Sequence, residues 1–148
     1  MTSIAPDHPV QTLLFFVDGD YNPSQVERFH QLVEDLGSVR SWILNPPVFV
    51  DEGEENPPTL GVYLDLYAAD RPDALPLAME RLILDEVKAV LSLVKEFSKE
   101  QSLPFGAALE GELIGSVENG EPDEFLQVGL IGEWERILAE REGAEERG

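Results

Sequence analysis

The longest periodic pattern in the chain runs from Asp73 to Ser102. Leu75, Met79, Ile83, Val87, Val90, Val94 and Phe97 recur at helical spacing, Leu82, Leu84, Leu91 and Leu93 widen the stripe, and Arg81, Asp85, Lys88, Ser92, Lys95 and Lys99 form the opposite face. Such a helix spans roughly 40 Å and needs an apolar surface along most of that length. Asp73 can cap its start, Pro76 is tolerated in the first turn and Pro104 ends the pattern.

The remaining chain reads as strands and two shorter helices. Thr12 to Val17 is a continuous apolar run of the kind buried on both faces at the centre of a sheet. Asn22-Pro23-Ser24-Gln25 carries an N-cap, a proline at the first helical position and a capping-box partner, so a helix follows through Val26, Phe29, Leu32 or Val33, and Leu36, with Gly37 as its left-handed C-cap. Ser38 to Leu44 alternates as a strand until Pro46-Pro47 breaks it, and Val48 to Val50 resumes at an edge. Thr59 to Ala69 alternates most cleanly, with Leu60, Val62, Leu64, Leu66 and Ala68 on one face and Tyr63, Asp65 and Tyr67 on the other.

Beyond the long helix, Phe105 to Leu109 and Leu113 to Val117 form a hairpin about Glu110-Gly111-Glu112, and Asn119-Gly120 marks a second turn. Asp123 can cap a last helix whose face is Leu126, Leu130, Ile131, Trp134, Ile137 and Leu138, with Gly129 and Gly132 allowing close packing. The pattern predicts one α+β domain over residues 1–148, of order β-α-β-β-α-β-β-α. Its sheet is mainly antiparallel with helices on one face, residues 1–10 form a flexible arm and residues 140–148 a frayed acidic tail.

Charge changes this picture more than any motif does. Thirty acidic residues against ten basic ones give a formal net charge of -20, and the segments 49–60 and 103–124 hold four and six acids with no base. An anionic membrane or a nucleic acid backbone would be repelled, whereas a basic protein would be drawn in. The partner-binding candidates are therefore Asp51, Glu52, Glu54 and Glu55, then Glu118, Glu121, Asp123 and Glu124, with Trp42 as an aromatic anchor. A solvated, salt-adapted surface with no dedicated partner accounts for the same composition. The chain has no cysteine, no secretion signal at its N-terminus and no apolar run of membrane-spanning length, so a cytoplasmic location is expected.

Candidate chemistry is confined to Asp18-Gly19-Asp20, two carboxylates just past the end of a buried strand, where hard metal ions are held in α/β folds. The stretch Phe15 to Asn22 resembles the first strand of NYN/PIN-like nucleases and, more loosely, the aspartate motif of haloacid dehalogenase-type phosphatases. That resemblance implies a metal-dependent hydrolase using Asp18 and Asp20, with Asp65 or Asp70 as further ligands. Turn chemistry leading into a capped helix explains the same residues without any metal. His8 and His30 have no companion at ligand spacing.

The C-terminal third, through Pro104-Phe105-Gly106, Glu110-Gly111-Glu112, Asn119-Gly120 and Gly129-Leu130-Ile131-Gly132-Glu133-Trp134, resembles small bacterial immunity proteins that neutralise a cognate toxin. The resemblance implies a small cytoplasmic inhibitor with no active site and no cofactor, whose partner is a basic toxin, most simply a nuclease.

Overall fold

The computed structural model describes residues 9–52, 59–67 and 75–147. Their elements are β1 (Val10–Val17), α1 (Pro23–Ser38), β2 (Val48–Glu52), β3 (Thr59–Tyr67), α2 (Leu77–Gln101), β4 (Phe105–Leu109), β5 (Glu112–Glu118) and β6 (Glu121–Pro122). A π-helix (Phe125–Gly132) and α3 (Glu133–Arg147) complete the chain. All strands pair antiparallel in one sheet of order β2-β3-β1-β4-β5-β6, and the helices lie on one of its faces. The fold is α+β, as the periodicity predicts.

The core forms where the stripe of α2 meets the inward positions of the central strands. Ile83, Val87, Val90, Val94 and Phe97 pack over Leu13 and Phe15 of β1 and over Leu60, Val62 and Leu64 of β3, all essentially inaccessible to water. Phe29 of α1 closes this core against Phe97 and Phe105, with ring centroids 4.8 and 5.7 Å away. The capping box at Asn22 is present in full, Gln25 N–H donating to the Asn22 side chain and Asn22 N–H to the Gln25 side chain, each at 2.9 Å.

β1 is central, but only one of its faces is covered. Leu13, Phe15 and Val17 are buried while Leu14 and Phe16 alternate with them half-buried on the helix-free face, where Phe16 lies over Gly106. The apolar run reflects a central position and not a second layer of helices. On α2, Leu82 is exposed, at 48 %, although it belongs to the predicted stripe, whereas Glu80 and Glu86 are buried.

The segment Ser38 to Leu44 is not a strand. α1 runs on through Gly37 and Ser38, Gly37 is helical and not left-handed, and its missing side chain instead admits Pro46. From Val39 to Pro47 the chain is irregular; Val39 is 72 % exposed, so the alternation marked no buried face. Its polar groups are met from elsewhere: Trp42 Nε1 donates to the Gly37 carbonyl at 3.1 Å and Ile43 N–H to the Glu86 carboxylate at 2.8 Å.

α2 starts at Leu77 after Pro76, without a side-chain cap, and ends where Ser102 turns left-handed, two residues before Pro104. Asp73 and Asp70 lie outside the described residues, as do His8 and the rest of the arm through residue 8. Both hairpin turns have the positive φ pairs of tight two-residue loops, 52° and 82° at Glu110-Gly111 and 50° and 80° at Asn119-Gly120.

The last helical region departs from the α pattern. Asp123 does cap it, its Oδ1 accepting the Leu126 N–H at 3.1 Å, but the turns from Phe125 to Gly132 are π-helical before α3 resumes regular geometry. A side chain at Gly132 would press on the Gln127 carbonyl. The tail from Glu140 does not fray at once, for helix continues to Arg147. Arg136 pairs with Glu140, Arg81 with Glu142, and Arg141 with the buried Glu80.

Candidate interaction surface

Strand register decides how the acidic segments relate. Val17 pairs with Phe105, Phe105 with Val117 and Val117 with Pro122, while on the other side of β1 Phe16 pairs with Gly61, and Leu60 with Asp51. One end of the sheet therefore carries, from edge to edge, Glu52 and Asp51 of β2, Asp18 and Asp20 after β1, and Glu118 and Glu121 flanking the Asn119-Gly120 turn. The two predicted segments sit at opposite edges, five strand spacings or about 24 Å apart, yet on one rim. Glu54 and Glu55 lie outside the described residues.

Tyr21 joins this rim to its neighbours. Among the described residues its enclosed hydroxyl has no hydrogen-bond partner, and its pKa is raised first by burial and then by the charge of Asp51. The Asp18 N–H donates to the Pro104 carbonyl at 2.8 Å, which ties the loop after β1 to the start of β4 and leaves both Asp18 and Asp20 exposed.

Cations are segregated from the sheet. No described strand contains Lys or Arg, and all described cations except Arg40 are on helices. Most are occupied by acids of those helices: Arg28 with Glu100, Lys88 with Glu135, Arg136 with Glu133 and Glu140, Arg81 with Glu142, Arg141 with Glu80. Lys95 and Lys99 border the rim from α2, where Gly120 packs against them. Five of the nine described cations are thus paired with acids of the helices, while the described strands and their hairpin turns carry acids and no base.

Two predicted contact residues have other duties. Asp123 accepts the N–H and hydroxyl of Ser116, each at 3.2 Å, besides capping the π-helix, so its carboxylate is a joint between β5 and the last helical region. Trp42 is half-buried with Arg40 over its ring, 5.0 Å from the centroid. Its neighbour Ile43 meets Glu86, whereas the rim end of α1 meets Gln101 through Gln25. The fifteen residues between Glu86 and Gln101 put Trp42 about 22 Å from the rim along α2.

The alternative metal set is not assembled. Asp65 pairs with Thr12, whose hydroxyl donates to it at 2.8 Å, and that register lies six residues from Asp18, about 20 Å along the strand. Among the described residues no three His, Cys, Asp or Glu side chains converge.

Comparison finds no matching family model, curated protein or solved structure. No helix of the described residues is long and apolar enough to cross a membrane.

An apolar feature beside the acids escapes the sequence reading. Between β5 and the π-helix runs a groove of about 550 Å³ lined by Leu109, Leu113, Ile114, Phe125 and Leu130, in which Asp123 is the one carboxylate. Leu113 and Phe125 are each 72 % exposed at its lips. The only signal in the sequence is two large apolar residues, Phe125 and Val128, off the stripe of Leu126 and Leu130.

Proposed function

We propose that this chain is a non-enzymatic inhibitor of the immunity-protein kind, which binds a basic protein toxin and blocks it through its acidic surface. The observation that carries this reading is charge segregation: the described strands and their hairpin turns hold acids and no base, while most of the described cations pair with acids of the helices. A nuclease is the simplest partner, because a site built for a polyanion must be positive. Charge of this sign speeds encounter and excludes anionic competitors, and apolar contacts slow release. The inhibitor acts in the cytoplasm and needs no cofactor.

The test is co-purification with the product of the adjoining reading frame, where the gene of a cognate toxin is expected. The complex should form at low salt and weaken when Asp51, Glu52, Glu54 and Glu55, or Glu118, Glu121 and Glu124, are changed to Ser. A neighbour that is not basic and is not retained would overturn the reading.

A further inference from the structure

We infer that the groove between β5 and the π-helix is the anchoring site for a protein segment that combines large apolar side chains with Lys or Arg. This rests on the inhibitor reading for the partner's charge, and it commits to a place which that reading leaves open.

Three observations converge there. The first is exposure: Leu113 and Phe125, both lining the groove, are large apolar side chains left in water at 72 % each. Isolated exposed apolar residues are ordinary, but a grouped set around a groove marks an interaction surface. Leu109, Ile114 and Leu130 continue the groove inward toward the core.

The second is backbone geometry. π-Helical turns are rare and concentrate at functional sites. Within these turns Leu126 is 1 % exposed and Phe125 beside it 72 %. Gly115 is required behind the groove, because a side chain there would strike Leu126 and the Asp123 carboxylate.

The third is charge. Glu112 and Glu124, both exposed, immediately precede Leu113 and Phe125, Glu121 lies across the β5–β6 turn, and no cation occurs between residues 100 and 135. Asp123 is committed to Ser116 and Leu126, so these outer glutamates are the ones open to a partner. An apolar groove in a stretch of chain that carries acids and no base has as its complement an apolar side chain accompanied by bases. An acidic or purely apolar segment would meet repulsion or leave these carboxylates without a partner.

The probe is a short fluorescein-labelled peptide of Leu, Phe and Lys, with a second peptide carrying Ser in place of Leu and Phe at the same charge. Leu113→Ser and Phe125→Ser remove the lips. Gly129→Leu fills the groove from a position where an added Cβ would meet nothing closer than the Glu124 carbonyl at 4.0 Å. The first peptide should bind the parent and lose about tenfold or more in affinity to each variant, while the Ser peptide distinguishes none of them. Failure of the first peptide to bind the parent, or equal affinity for parent and variants, would overturn the site. Co-purification with the basic neighbour separates the two claims. Equal retention by parent and groove variants would remove the groove and leave the inhibitor; no retention, with the peptide still following the variants, would remove the inhibitor and leave the groove.

Discussion

The carboxylate of Glu86, in the middle of α2, accepts the backbone N–H of Ile43 at 2.8 Å although Glu86 is only 2 % exposed. This one bond ties the irregular connection between α1 and β2 to the central helix. Glu86→Ala should therefore cost about 1–3 kcal/mol, the penalty for an enclosed N–H left without an acceptor. Urea unfolding of parent and variant checks it, and an unchanged midpoint would show that the N–H finds water.

The same residue supplies a pH dependence of known sign. Burial pushes the Glu86 carboxyl above its ordinary value of 4.5, against the Ile43 N–H and the charge of Arg40, which pull it down. A carboxyl whose folded pKa is raised costs stability when ionised, fully above the folded value, and costs nothing below 4.5, where it is protonated folded and unfolded alike. Relative to Glu86→Gln, the parent should therefore gain stability as pH falls through that window. Paired thermal melts across it would contradict the account if the difference stayed flat or reversed.

Neighbouring positions on α2 should separate sharply. Ile83 is 1 % exposed and Leu82 48 %, so Ile83→Asp should unfold the domain, an unpaired buried charge costing several kcal/mol against a stability of order 10, while Leu82→Asp should melt with the parent. Val90→Asp should behave as Ile83→Asp. Cooperative melting of Ile83→Asp near the parent temperature would refute the packing of α2 on the sheet.

Asp123 should be a stability residue and not a contact residue. Losing its bonds to Ser116 and the Leu126 N–H should cost about 1–2 kcal/mol or more in Asp123→Ala, whereas Glu121→Ser, at an exposed turn, should stay within about 0.5 kcal/mol. Equal melting of the two variants would show that the joint contributes nothing.

What the sequence made legible was local. Asn22 to Gln25, the two turns ending in Gly111 and Gly120 and the stripe of α2 each write their structure within a few residues, and each is present. The alternation of Ser38 to Leu44 misled because period two needs a partner strand, and these residues bond instead to α1 and Glu86. The acidic rim could not be read because Asp51, Asp18 and Glu118 meet only through register across five strands. The groove stayed hidden because it forms only where β5 meets the π-helical turns, bringing Leu113 and Phe125 together from separate elements.

The central claim is that excess negative charge on the sheet's rim and edge recruits a basic protein. Its most direct test is the association rate with the purified neighbouring gene product, measured by stopped flow against ionic strength. The account predicts a rate that falls by about an order of magnitude or more as salt rises from about 20 to 500 mM, and a shallower slope when Asp51, Glu52, Glu118, Glu121 and Glu124 are changed to Ser. A rate independent of salt, or a slope the substitutions leave unchanged, would contradict it.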